Sequence, residues 1–259
     1  MKKLFAILLV FVSLFVLAAC GETNNGDENG KGKETDIFAK SEGVMTYAEY
    51  AALNAEEKPT VVVETFIQAK QSWWEKDGVG VGTFYTMDKD GGYFLYNMPC
   101  SKDDYDNKLK IGAKIKVTGK KSAWAGENEI IDATWVLEEG TWTATPVELT
   151  AAQYETEAEK YQNQLFSLKG LKVVQFDADD ETSAFGYGSK GTGKVGDDLY
   201  IKAQLGEKVY TFVVESYLCD KDTDVYKAVE ALKVGDTFDI EGFMYWYNGA
   251  QPHVTKLTK

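Results

Sequence analysis

The chain reads as mainly β with short helices, arranged as two tandem five-stranded units that are each preceded by a helix. Three observations predict this. A phrase recurs without a gap at a constant offset of 123: Leu109-Lys110-Ile111-Gly112 through Gly119, then Trp124-Ala125-Gly126 and Ile130, returns as Leu232-Lys233-Val234-Gly235 through Gly242, then Tyr247-Asn248-Gly249 and His253. Runs of apolar residues alternating with polar ones, the period of a half-buried strand, occupy most of the chain. Ahead of each set of runs, Thr46-Tyr47-Ala48-Glu49-Tyr50 is echoed by Thr150-Ala151-Ala152-Gln153-Tyr154, both with the spacing of a helix-opening capping box.

The first element is a processing signal over 1–19. Lys2 and Lys3 precede an apolar stretch over 4–16, broken only by Ser13 and too short to span a bilayer comfortably. It closes on Leu17-Ala18-Ala19-Cys20, followed by Gly21. That ending resembles the lipobox of bacterial lipoproteins. The resemblance implies cleavage before Cys20, acylation of that cysteine, and a lipid-anchored position on the extracellular face of a bacterial cell membrane. Two or three acyl chains hold far better than one. Residues 20–43 are rich in Asn, Gly, Asp, Glu and Lys and read as a flexible tether.

The first unit covers 44–140. Thr46 caps a helix reaching 57, ahead of Pro59. Strands follow at 60–74, 81–87 and 93–98, the last two joined through Asp88-Lys89-Asp90-Gly91-Gly92. A short helical or looped connection over 101–108 leads to strands at 113–119 and 129–136, with a polar loop between them carrying Trp124. Residues 138–146 form a link. The second unit covers 147–259: a helix over 150–163, a strand at 166–176, a long glycine-rich loop, strands at 198–204 and 208–214, a helix over 220–232, and strands at 237–242 and 251–257.

Five strands with a helix between the third and fourth match the order of the OB fold, a small Greek-key barrel. The phrase Leu-Lys-[Ile/Val]-Gly-x-x-[apolar]-x-[apolar]-x-Gly resembles the opening of strand four in bacterial OB-fold domains. The resemblance implies two barrels, with ligands on the face of strands two and three and on the loops joining strands one–two and four–five. The fold itself hosts many activities and selects none.

Charge narrows the field. The 259 residues carry 28 basic and 41 acidic side chains, and every basic one is lysine. Loss of Lys2 and Lys3 with the signal leaves 26 against 41, a charge of −15. Without arginine there is no planar fork for phosphate or base edges, so nucleic acid is an unfavourable partner. The same acidity opposes lying flat on an anionic membrane, so the lipid carries the membrane contact.

No catalytic constellation stands out. The single histidine, His253, aligns with the apolar Ile130 and is expected to face a barrel interior. Asp177-Ala178-Asp179-Asp180-Glu181 has the charge of a calcium loop, but Thr182 and Gly188 stand where glycine and glutamate belong. The glycine-rich run from Gly186 to Lys194 is followed by Val195, so it lacks the hydroxyl of a phosphate loop. No metal or other cofactor is expected. Cys100 and Cys219 either bridge or stay as two buried thiols.

The aromatic residues are the better lead. Trp73, Trp74, Tyr85, Tyr93 and Trp124 in the first unit, and Tyr245, Trp246 and Tyr247 in the second, fall where such barrels bind. The expected function is a non-catalytic binding or adaptor module at the cell surface, for a glycan or peptide. The alternatives are a structural partner of an envelope protein complex and, less favoured, nucleic-acid capture.

Overall fold

A computed structural model describes residues 36–259. The signal segment, Cys20 and most of the expected tether lie outside the described residues. The tether was expected to run to 43, but packed chain already begins at Asp36. Phe38 sets its ring edge-on to Phe66 and Trp142, with centroids 5.5 and 5.3 Å away. Lys40 donates to the Glu64 carbonyl and pairs with Asp88 at 2.6 Å. The apolar pair Ile37-Phe38, inside an otherwise polar stretch, supplies the surface that makes ordering worthwhile.

The first sheet is a closed five-stranded barrel with one added ribbon. Its strands are β1 (Thr60–Lys70), β2 (Trp74–Lys76), β3 (Val79–Met87), β4 (Gly92–Pro99), β5 (Ala113–Trp124) and β6 (Glu127–Thr141). Order β1-β5-β6-β4-β3 closes through a β1–β3 pairing, and β4 runs parallel to β6. The second sheet repeats this plan with β7 (Val147–Glu148), β8 (Leu165–Val173), β9 (Gly186–Tyr187), β10 (Leu199–Leu205), β11 (Lys208–Val214), β12 (Thr237–Phe243) and β13 (His253–Thr258). Here β8-β12-β13-β11-β10 closes through β8–β10, with β11 parallel to β13. Both circuits have the strand order of an OB barrel. Val63, Phe84, Leu95 and Ile115 fill the first, and Phe166, Ile201, Phe212 and Ile240 the second.

The repeated glycines have matching duties in the two barrels. Gly112 and Gly235 both take left-handed backbone, at φ 86° and 90°, to turn the chain into the fourth barrel strand. A Cβ on Gly119 would lie 2.6 Å from Ile130, and one on Gly242 would lie 2.3 Å from the His253 carbonyl. These two positions let the last two barrel strands approach closely where their register shifts.

Helices are shorter than expected. α1 (Tyr47–Ala52) and α3 (Ala151–Glu157) each open on a complete capping box, at Thr46/Glu49 and Thr150/Gln153. Each is followed by a 3₁₀ turn rather than further α-helix. Buried Lys121 donates to the carbonyls of Tyr50, Ala51 and Leu53, satisfying the C-terminal end of α1. α2 (Lys102–Asn107) is capped by Ser101, and α4 (Asp224–Glu230) by Thr223.

Three strand predictions change. The first run stops at Lys70 because the chain leaves the barrel: the Ser72 N–H donates to the Tyr217 carbonyl of the second barrel at 2.8 Å. The loop expected around Trp124 is a tight hairpin turning at Ala125-Gly126, both left-handed at φ 51° and 90°. The expected link loses 138–141 to β6, and Trp142 folds back to donate its N–H to Gly112 at 3.0 Å.

The two barrels meet through a buried seam. Tyr85 stacks on Phe243 with centroids 4.4 Å apart, and its hydroxyl lies 2.9 Å from Nδ1 of His253. The β5–β6 hairpin tip is gripped by the second barrel. The Gln162 side chain donates to the Gly126 carbonyl, the Asn248 N–H to Ala125, and the Trp246 N–H to the Glu127 carboxylate at 2.7 Å. The tip and the 247–249 turn are equivalents in the repeat, so the two copies of one loop face each other.

Candidate functional site

Two depressions open along this seam and share the side chains of Gln71 and Tyr96. The larger, a cleft of about 680 Å³, lies between the barrels and is lined by Phe94, Tyr96, Trp124 and Glu129 from the first and Asp198, Tyr200, Glu215, Tyr245 and Tyr247 from the second. The smaller, about 620 Å³, is lined by Gln71, Ser72, Trp73, Trp74, Thr83, Tyr96 and Asn97, with Tyr217 reaching over from the second barrel. Together they make a composite groove.

The exposed aromatics concentrate here. Among the described residues, the aromatic side chains more than a third exposed are Trp74 (46%), Tyr96 (44%), Trp124 (56%), Tyr217 (68%) and Tyr247 (44%). All five line this groove. Trp124 and Tyr247, which occupy the same place in the two repeats, pack against each other with centroids 5.3 Å apart and rings tilted by 37°. Exposed aromatic surface gathered into one concavity marks a contact surface far better than the same rings scattered singly.

Of the other aromatic residues expected to bind, Trp73 is half-buried. Its indole N–H donates to the Cys100 carbonyl at 3.0 Å, and its ring fills the space a side chain at Gly80 would need. It forms the floor of the smaller depression. Tyr245 is half-buried and stacks on His253 at 4.2 Å, presenting its other face to the larger cleft.

Four expectations are corrected. Tyr85 is fully buried, because the second barrel covers the face of β3 and β4 where a ligand was expected. Tyr93 is also fully buried; it packs against Tyr50 and donates to Asp88, closing the barrel under α1. Trp246 is a clasp rather than a ligand platform. Its ring lies over Gly126, where a Cβ would come within 2.6 Å of it. His253 faces the seam rather than a barrel interior, and burial depresses its imidazole to about 3, so it stays neutral.

The polar groups of the groove fall into two sets. The smaller depression is neutral, with Gln71, Ser72, Thr83 and Asn97. Asn97 takes left-handed backbone at φ 49°, and its N–H donates to the Thr83 hydroxyl. The larger cleft is acidic. Glu129 and Glu215 are only 7% and 8% exposed, and burial pushes both carboxyls up to about 7, with Asp198 adding to the shift at Glu215. Asp198 accepts from the N–H and hydroxyl of Ser216, and Glu215 accepts from Gln71. Lys58 is the one lysine on the lining.

Tyr217, Gln71, Glu129 and Glu215 escaped sequence reasoning. Tyr217 follows β11 in a connection with no equivalent in the repeat. Glu129 and Glu215 sit at strand ends, where an acidic residue ordinarily faces water. The visible signal was their position against apolar neighbours, in Glu129-Ile130-Ile131 and Val213-Val214-Glu215.

Cys100 and Cys219 are separate buried thiols, raised by burial to about 11 and 12. The acidic run after Gln175 folds into turns in which Asp177 and Asp180 accept from nearby backbone N–H groups. Among the described residues no group of three or more metal-ligating side chains comes together.

No protein-family model and no curated protein matches the chain. Solved structures with a similar course of the chain include a murine DNA-binding protein bound with double-stranded DNA, at 9% identity and TM-score 0.37, covering 76% of this chain and 98% of that one. A HINa domain in complex with 20-base-pair double-stranded DNA matches at 10% identity and TM-score 0.36, covering 77% and 98%. A replication protein A heterotrimer bound to single-stranded DNA matches at 10% identity and TM-score 0.32, covering 80% and 51%. Identities and scores this low carry no ligand or activity over to this chain.

Proposed function

We propose that this chain is a non-catalytic binding module, held on the outer face of a bacterial cell membrane through lipid on Cys20, that binds a saccharide chain in the groove across its two barrels. The observation that carries the reading is the gathering into that groove of the well-exposed aromatic rings among the described residues. Flat rings offer large, rigid apolar faces at low entropic cost, suited to the C–H faces of sugar rings. The amide and hydroxyl groups of Gln71, Ser72, Thr83 and Asn97 lie between them to meet sugar hydroxyls.

Charge separates this from nucleic-acid capture. Glu129, Asp198 and Glu215 line the larger cleft against Lys58 alone. A phosphate backbone there would release few counterions and meet carboxylates at close range. A glycan array probed with the full-length protein tests the reading. Binding to a defined saccharide class, weakened at least tenfold in Trp74→Ala and Trp124→Ala, supports it. A blank array, or binding indifferent to both substitutions, contradicts it.

A further inference from the structure

One carboxylate of the larger cleft has no partner from the protein among the described residues. Three carboxylates line it, and two already have partners: Asp198 on Ser216, and Glu215 on Gln71 and the Tyr217 N–H. Glu129 is 93% buried, yet among the described residues its carboxylate makes no hydrogen bond and no ion pair. Lys121, next to the Ser122 that pairs with Glu129 across the β5–β6 ladder, points instead to the carbonyls closing α1. A largely buried carboxylate that opens on a cleft without a protein donor is placed to meet a donor from outside. Aromatic faces of Trp124, Tyr245 and Tyr247 surround the same space, and such faces attract cations. A phosphate or carboxylate would be repelled here. A metal ion would lack ligands, because no set of three ligating side chains is assembled among the described residues.

We propose that the cleft receives a protonated amine on the ligand, with the Glu129 carboxylate as its counter-ion and the Trp124–Tyr247 pair as its aromatic wall. This rests on the saccharide reading above and narrows it to amino sugars with free amines. An ammonium group supplies the N–H donors that Glu129 lacks, and its charge is met where protein partly displaces solvent. The neutral depression beside Trp74 then takes the adjoining sugar residues.

Calorimetric titration of the full-length protein in detergent at pH 7 tests this, using a glucosamine oligosaccharide and its fully N-acetylated counterpart as probes. The expected result is at least tenfold tighter binding of the free-amine oligosaccharide, with that preference abolished in Glu129→Gln. A thermal melt of the variant confirms that it is folded, and Glu129→Asp should restore part of the preference. Equal or tighter binding of the acetylated probe overturns the amine inference and leaves the saccharide reading standing. An amine preference that survives Glu129→Gln overturns the assignment to Glu129. Failure of both probes to bind, in a protein whose array shows another saccharide, overturns the inference alone; failure on a blank array overturns both.

Discussion

Glu129→Gln should make the protein more stable, by an amount that grows as pH rises above about 4.5 and levels off above 7. In the folded chain burial holds the Glu129 carboxyl up to about 7, against about 4.5 for the same group in an unfolded chain. The folded state therefore binds its proton more tightly. The contribution to stability is fully present below about pH 4.5 and is lost as pH rises through 7. A shift of about 2.5 pH units corresponds to about 3 kcal/mol at most, and solvent screening of a carboxyl that opens on the cleft brings it to about 1–2 kcal/mol. Glutamine keeps the shape and cannot ionise, so its advantage should grow from nothing near pH 4.5 to about 1–2 kcal/mol above pH 7. At the size of the described region, that is a rise of roughly 3–6 °C in melting temperature. The charged groups facing the same space are Lys58, Asp198 and Glu215, with neutral His253 and Tyr245 beside them and Glu127 close by on the same strand. Glu127 and Tyr245, raised chiefly by burial, are pushed up in part by the Glu129 charge, so the variant relieves them too and the difference keeps its sign. Urea denaturation of wild type and variant at pH 5, 6, 7 and 8 gives the comparison. A difference that stays flat with pH, or a variant less stable at pH 8, would refute the reasoning that Glu129 sits unpaired and largely buried.

Two further outcomes follow from the seam. His253 is the single histidine of the chain, so its ring proton resonance is unambiguous; with its imidazole depressed to about 3, that resonance should not titrate between pH 8 and 5, and a midpoint near 6.5 would show the seam to be open to water. Its pKa lies below the unfolded value, so its stabilising contribution is present above about pH 6.5 and fades as pH falls toward 3. Gly126→Ala forces an L-residue into φ 90° and a Cβ into the Trp246 ring, and should cost about 2 kcal/mol in chemical denaturation; a change below about 0.5 kcal/mol would mean the clasp is not as close as described.

The barrels were legible because their signals are local and repeated. Alternating apolar residues and the paired Gly112/Gly235 and Gly119/Gly242 each have one cheap structural solution, and the structure uses it twice. The helix openings at Thr46 and Thr150 were legible for the same reason: a capping box is written in four consecutive residues. What could not be read was how one barrel sits on the other. Tyr85 and Tyr96 lie eleven residues apart on neighbouring strands and look alike in sequence. One is sealed under Phe243 and the other faces the groove, and only the seam decides which. Trp124 and Trp246 both stood out as tryptophans in polar turns. The first is exposed on the groove, and the second is committed to covering Gly126. Glu129 was invisible because its burial depends on Tyr245 and its neighbours, more than a hundred residues away.

The central claim is that one ligand surface runs across both barrels. Hydroxyl-radical footprinting of the full-length protein, with and without a saturating oligosaccharide taken from the array, tests it most directly. Protection should appear together at Trp74, Tyr96 and Trp124 of the first barrel and at Tyr217 and Tyr247 of the second. Protection confined to one barrel, or falling on aromatic residues outside the groove such as Trp135 or Tyr161, would contradict it.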